Sequence, residues 1–280
     1  MPAQNPVSFI SANLVAQPVG FHMSRGWGQG DEAVQDLFRP VQHFADRFDF
    51  LVSEVRALGF TSIDLWCAHL HPAWATVRHL EIARAVLDRH QVKITSYASH
   101  WGSNLEDLRC LKHVLSALGT DLISGNHGLL ASDRPALVAA LRDLKLRLAF
   151  ENHPEKSSAE MLAKIGPDAT DVLGIAYDTG WAGTQGFDAV AALPGLLPRL
   201  FHIHAKDVKA RRTEKTGFQL IDMGHETCVL GDGVVGIEKV IRAAVAGGFT
   251  GPIGVEHEPE DFNPMADCRE SLRRVRSWLA

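Results

Sequence analysis

Residues 147–153 read Arg-Leu-Ala-Phe-Glu-Asn-His, and residues 174–180 read Gly-Ile-Ala-Tyr-Asp-Thr-Gly, with a helix-like run at 159–165 between them. Each outer run is short, apolar and carries a carboxylate near its end, as a strand delivering a polar group to a barrel rim would. Side chains alternate faces along a strand, so Glu151 shares a face with Ala149 and Asp178 with Ala176. The opposite face carries Leu148 and Phe150 in one run, Ile175 and Tyr177 in the other. Small residues below each carboxylate and bulky residues on the other face fit a crowded barrel interior backed by helices.

Working outward, the same alternation runs from end to end. Candidate strands are Val7–Val15, Ser62–His69, Lys93–His100, Leu122–His127, Arg147–His153, Gly174–Gly180, Leu200–Lys206 and Ile253–Glu258. Helix-like stretches at Val41–Leu58, Val77–His90, Leu105–Leu118, Arg134–Leu144, Ala159–Ile165, Ile237–Ala246 and Pro264–Leu279 separate or follow them. Gly59, Gly119 and Gly247-Gly248 stand where C-terminal helix caps belong. Eight strand–helix units in 280 residues predict an α/β protein, a single-domain (β/α)8 TIM barrel over residues 1–280. The alternative is an open doubly wound sheet, which would need fewer strands or unusual width. Two connections, about 16–40 and 208–235, are long enough to be lids on the active face. The first contains Gly20, His22, Arg25 and Trp27 without completing a dinucleotide fingerprint, and the second contains His225-Glu226-Thr227-Cys228.

Four strand endings share one chemistry: Leu-Ala-Phe-Glu151, Ile-Ala-Tyr-Asp178, Phe-His-Ile-His204 and Ile-Gly-Val-Glu256. Singly, an acidic residue at a strand end is more often a helix cap or a solvated loop residue. His204 alone could be a hydrogen-bonded core histidine, with His202 one layer deeper. Jointly, with matching inward parity, they make a metal site of three carboxylates and one imidazole. Without a cation such a cluster would repel itself. These donors suit Mn2+ first, with Mg2+, Co2+, Zn2+ or Fe2+ as alternatives.

Such a cation polarises a carbonyl and stabilises an enediolate as a neighbouring carbon loses its proton. Glu151 and Glu256, on strands three positions apart around the ring, are the expected catalytic bases. His153 and His127 are further catalytic candidates, and His69, His71 and His100 also fall near strand ends. Trp181, Lys206, His100 and Trp27 are the expected substrate contacts, with Trp66 and Trp101 also near the mouth. Asp207 is expected to brace the rim or orient a ligand from behind. His257 has the opposite parity to Glu256 and is expected to be structural.

Bulk properties exclude other classes. The net charge of −5 and a pI near 6.3 leave no basic stripe for nucleic acid or an anionic membrane. Lys206 to Lys215 is the densest basic stretch, but Asp207 and Glu214 interrupt it. Cys67, Cys110, Cys228 and Cys268 are scattered and form no Cys-x-x-Cys pair. The first residues lack a signal-peptide pattern and no apolar run approaches about 18 residues, so a soluble cytoplasmic protein is expected.

The motifs Phe150-Glu151-Asn152-His153, Tyr177-Asp178-Thr179-Gly180, His202-Ile203-His204-Ala205-Lys206-Asp207 and Val255-Glu256-His257-Glu258 resemble the xylose isomerase-like TIM-barrel superfamily. That superfamily includes ketose 3-epimerases, hydroxypyruvate isomerases, inosose dehydratases and abasic-site endonucleases. The resemblance implies Glu151, Asp178, His204 and Glu256 as metal ligands, with Glu151 and Glu256 exchanging the substrate proton. The chain departs from the epimerases and dehydratases at Trp181, where they usually carry histidine. It departs from the 3-epimerases at Ala210, near where they place an arginine; Arg211 and Arg212 lie beyond it. These changes favour a glycoside or cyclic keto-sugar over a free ketohexose.

The leading expectation is a metal-dependent sugar or keto-sugar isomerase or epimerase. The alternative is a lyase, inosose dehydratase-like or cleaving a 3-keto-glycoside or C-glycoside by elimination. A third reading is a barrel without catalysis that serves as a partner subunit, and homo-oligomer formation is also expected of such barrels.

Overall fold

Short apolar strands and amphipathic helices alternate around a closed ring in the computed structural model, which describes residues 5–209 and 226–280. β1 (Val7–Ile10) leads into two 3-10 turns, Ser11–Leu14 and Gln17–Val19, then helices α1 (Trp27–Phe38) and α2 (Val41–Ala57). There follow β2 (Ser62–Trp66), α3 (Val77–His90), β3 (Lys93–Ser99), α4 (Leu105–Leu118), β4 (Leu122–Gly125), α5 (Leu129–Ser132) and α6 (Arg134–Leu144). Next come β5 (Arg147–Glu151), α7 (Ser158–Ile165), β6 (Leu173–Asp178), α8 (Thr179–Thr184), α9 (Ala189–Leu196) and β7 (Leu200–Ala205). A small antiparallel pair, β8 (Asp207–Val208) and β9 (Thr227–Cys228), precedes α10 (Ile237–Ala246), β10 (Ile253–Val255) and α11 (Met265–Leu279). The barrel closes in the order β1-β2-β3-β4-β5-β6-β7-β10, and its pairings are parallel. The (β/α)8 architecture expected from the alternation is therefore present.

Strand parity has the expected consequence. Ile63, Leu65, Ile123, Leu148, Ile203 and Val255 face outward and are buried beneath the helices. The opposite face of the strands fills the barrel in layers. Leu122, Ala149 and Ala176 pack with Phe201. Another layer is polar: Ser124 Oγ donates to the Asp64 carboxylate at 3.3 Å, and Ser96 Oγ lies 3.1 Å from His202 Nε2. Gly254 is required here, because a Cβ would meet Ile10 Cδ1 at 2.7 Å and His202 Cε1 at 3.1 Å. That crowding is what a filled barrel demands.

Several strands end earlier than their apolar runs predict. β1 stops at Ile10 instead of Val15, because the chain coils inward there. Ser11 Oγ accepts from the Trp66 backbone N–H at 2.8 Å, and Asn13 Nδ2 donates to Val255 O at 2.9 Å. These side-chain bonds replace further strand pairing.

The long connection at 16–40 is largely helical. Gly30, Val34 and Phe38 recur every four residues and bury one face of α1. A Cβ at Gly30 would strike Met23 Sδ at 2.5 Å, so this glycine serves close packing within a helix. In the second long connection, the Asp207 carboxylate accepts from the backbone N–H groups of Val208, Gly231, Gly233 and Val235. Asp207 therefore ties the returning chain to β8. Ala210, Arg211, Arg212 and His225 lie outside the described residues. Among the described residues, no helix is long and apolar enough to cross a membrane.

Candidate metal centre and substrate pocket

Register brings the four strand-end groups to one level. Glu151 pairs with Ala176, Asp178 with His204, and His204 with Gly254, two residues before Glu256. Each of the four is buried. Glu151 Oε1 lies 2.6 Å from His204 Nδ1, and Glu256 Oε2 lies 3.4 Å from the same nitrogen. Ligand atoms of Glu151, His204 and Glu256 all fall within 4.8 Å of one another, close enough to share a cation. Asp178 stands outside that tight group. Its Oδ1 accepts from the Trp181 backbone N–H at 3.0 Å, which caps α8.

Asp178 Oδ2 and Glu256 Oε2 are buried without a hydrogen-bond partner. Ion-pair contacts at 3.4 Å to His204 Nδ1 and 3.8 Å to Lys206 Nζ offset only part of the cost of burying these oxygens, and a cation beside them would lower it further. The residues present therefore fit a divalent metal, with oxygen and nitrogen donors and no thiolate.

Lys206 occupies the centre of this acidic group. Its Nζ lies 3.1 Å from Glu256 Oε1, 3.8 Å from Asp178 Oδ2 and 2.5 Å from Glu258 Oε2. Its stem passes over Gly180, where a Cβ would meet Lys206 Cγ at 2.6 Å. His100 Nε2 donates to Glu151 Oε2 at 2.8 Å.

The charges partition unevenly. Burial pushes Asp178 up to about 6, with Lys206 opposing and Glu151 adding to the rise. Burial also raises Glu256, and it pushes Glu258 up to about 8, helped by the Glu256 charge. For Glu151 burial acts upward too, but His204 and His100 outweigh it and hold the carboxyl well below its usual range. For His204 burial acts downward, yet Glu151 and Asp64 hold it well above its ordinary value. Lys206 likewise stays high against burial because Glu256, Glu258 and Asp178 surround it.

Above this floor opens a cavity of about 710 Å³. Of the residues expected from sequence, Glu151, His204, Glu256, His153, His100, Lys206, Trp181 and Trp27 line it, while Asp178 lies buried behind them. Trp66, Trp101 and His71 line it as well.

Two expected residues, His127 and His69, are not brought to the cavity. His127 is buried, its Nδ1 accepts from the Leu129 N–H at 3.3 Å, and its ring packs beneath Gly102. The chain turns at Gly125 (φ 140°), ending β4 before His127 can project from it. His69 lies between Ser11 Oγ and the Trp66 carbonyl, each 3.3 Å from Nδ1. Asp207 serves the loop clamp described above.

Two contributors lie outside the candidate site residues read from the sequence. Asp64, fully buried in mid-strand, places Oδ2 3.3 Å from His204 Nε2 and 3.4 Å from His202 Nε2. The signal was available: Ser62, Asp64 and Trp66 alternate with Ile63 and Leu65. Glu258 adopts a left-handed backbone (φ 50°), held by Asn13 Oδ1, which accepts from the N–H groups of His257 and Glu258. Such a non-glycine conformation persists only where its surroundings enforce it. Its long-range partner, Asn13, is invisible to local patterning.

A closed eight-stranded barrel with a polar cluster at one mouth defines an α/β-barrel protein with an enzyme-like site. A family model described as the xylose isomerase-like TIM barrel matches residues 52–278, and the chain belongs to that family. An inosose dehydratase from Lactiplantibacillus plantarum is 26% identical over 147 residues, 48% of this chain and 48% of that protein. The chain thus spans about half the length of this curated relative. A xylose isomerase-like TIM barrel protein from Mycobacterium smegmatis, solved in complex with magnesium, superposes with a TM-score of 0.70 at 19% identity, covering 98% of this chain and 96% of that one. D-Allulose 3-epimerase from Methylomonas sp., in complex with D-allulose, gives 0.63 at 14% identity, with 99% and 98% covered. At these identities the two solved structures speak to the fold.

Proposed function

We propose that the protein is a divalent-metal-dependent isomerase or epimerase acting on a sugar or keto-sugar, with the proton beside a carbonyl as the one transferred. The observation that carries this is the buried Glu151–His204–Glu256 cluster at the floor of a ligand-sized cavity. Glu151, Asp178, His204 and Glu256 would hold the metal, and Mn2+ is our choice for these donors. The cation would polarise the carbonyl and offset the negative charge that develops on its oxygen.

The chain's own groups supply the proton transfers. Glu151 and Glu256 reach the floor from different strands and would flank a bound carbon from opposite sides. One carboxylate removes the proton, leaving an enediolate. Donation of a proton from the other group, present as the carboxylic acid, to the opposite face inverts the centre and leaves the two groups with their protonation exchanged. Return of the abstracted proton to the adjacent carbon, with the hydroxyl proton passing between the two oxygens, isomerises the sugar. His100 steadies Glu151 through its 2.8 Å bond, and Lys206, 3.1 Å from Glu256, is placed to donate to a substrate oxygen. His153, packed against Trp181 at 3.9 Å between centroids, borders the entrance and would contact a hydroxyl.

A lyase reading has its own support in the inosose dehydratase similarity. It begins with the same proton removal and diverges only if a leaving group on the β-carbon departs. Candidate keto-sugars incubated in D2O and followed by NMR separate the two. Deuterium uptake with an unchanged carbon skeleton and no lost group is the expected result; loss of water or an aglycone selects the lyase. A thoroughly metal-stripped sample should lose turnover and regain it with Mn2+. Full activity without metal would overturn the proposal.

A further inference from the structure

The cavity is larger and more aromatic than the charged floor requires. Four of the six tryptophans, Trp27, Trp66, Trp101 and Trp181, line it, and each is partly exposed. Three of them belong to a continuous arc with two histidines. Ring centroids run Trp27 to Trp66 at 6.1 Å, Trp66 to His100 at 6.0 Å, His100 to His153 at 6.3 Å and His153 to Trp181 at 3.9 Å.

The arc is fixed in place. Trp66 Nε1 donates to Asp31 Oδ1 at 2.8 Å, and Gln35 Nε2 donates to Asp31 Oδ2 at 2.9 Å, tying the ring to α1. At the other end, the Asp178 carboxylate anchors the Trp181 backbone. Rigid, partly exposed aromatic surface around a polar centre suits a site that covers an apolar ligand group.

A single sugar ring does not account for this surface. The ligand atoms of Glu151, His204 and Glu256 meet within 4.8 Å of one another on the floor of the cavity of about 710 Å³, and a ring that reacts with them sits on that floor. Placed there, it would leave much of the collar wet. We infer that the cavity takes a two-part ligand: a sugar ring on the floor and a flat, apolar second group, an aromatic aglycone, in the collar. Asp31 on the cavity wall disfavours an anionic aglycone. The inference rests on the floor being a sugar-processing centre.

Binding tests it without requiring turnover. Matched phenyl and methyl glycosides of the common hexoses are titrated calorimetrically into the Mn2+-loaded protein. The phenyl member of at least one pair should bind tenfold or more tightly than its methyl counterpart. Trp27→Leu and Trp181→Leu should each remove most of that preference, read as the ratio of phenyl to methyl affinity in the same variant, and Trp181→Phe should retain it. Circular dichroism screens for folded variants, and the two tryptophans lie on different elements, so failure of one variant leaves the other informative. Equal affinities across the panel, no phenyl glycoside binding, or a preference untouched by both substitutions would overturn the inference. Deuterium exchange into free keto-sugars separates the two ideas: exchange without aryl preference sinks only the collar, and aryl preference without exchange sinks only the chemistry.

Discussion

The cavity wall built from β5, β7 and β10 presents Glu151, His204, Lys206 and Glu256, whereas the aromatic collar takes Trp66, Trp101 and Trp27 from β2, β3 and α1 and is completed by Trp181 of α8. One side is dense with charge that is costly to bury; the other exposes aromatic surface that is costly to leave in water. A closed barrel permits this division because each strand delivers its terminal side chain to the same mouth independently of its neighbours. The difference assigns separate tasks: proton transfer to the charged wall, and selection of what accompanies the reacting ring to the aromatic one. Substitutions on the first side should therefore lower turnover broadly, while those on the second should change which ligand is preferred.

The most forceful way to break that division is Glu151→Gln or Glu256→Gln. Each change keeps side-chain shape and removes a base. Deuterium exchange should fall by roughly 10²–10⁴-fold, the usual contribution of a positioned general base. Mn2+ affinity, read by calorimetry, should fall as well. A variant that kept more than about a tenth of wild-type exchange, against that range, would remove its residue from the proton-transfer pair.

Asp64→Asn comes next and sharpens the boundary, because Asp64 belongs to β2 on the aromatic side yet contacts His204 on the charged side. An ionised carboxylate with no solvent exposure costs several kcal/mol to bury, so its retention calls for partners. Burial raises its pKa, but His204 and His202 outweigh that and keep it below its ordinary value. With Asp64 facing Nε2, the Nδ1 edge of His204 is left toward Glu151 and Glu256. Removing the charge while preserving the shape should weaken Mn2+ binding by roughly 10–100-fold with the circular dichroism spectrum unchanged. Unaltered affinity would reduce Asp64 to packing.

The charged wall was far more legible in the sequence than the aromatic one, for a physical reason. Glu151, Asp178 and Glu256 end short apolar runs whose alternation fixes the inward face, so parity alone predicts their convergence. Asp64 obeys the same parity on β2, but it lies a layer below the rim. Glu258 depends on Asn13, 245 residues away, for its left-handed backbone, and local pattern carries no trace of that bond. The segment at 16–40 looked like loop because glycines crowd its start. The Gly30, Val34, Phe38 spacing was a helix signal, and it becomes persuasive once α1 is seen to need a glycine against Met23 and Val15.

His127 provides the smallest expected effect and the most direct check on where the charged wall ends. Its apolar run places it at a strand end, as with Glu151, yet β4 stops at Gly125 and the ring turns away from the cavity. His127→Asn loses buried ring contacts and should cost about 1–2 kcal/mol of stability, a melting-temperature drop of a few degrees for a chain of this length. Exchange into keto-sugars should stay within about threefold of wild type, far below the loss expected for a positioned base. A hundredfold fall at unchanged Mn2+ affinity would bring β4 into the catalytic wall. It would mean that the 125–128 turn rearranges around substrate, since the ring cannot reach the floor from its place beneath Gly102.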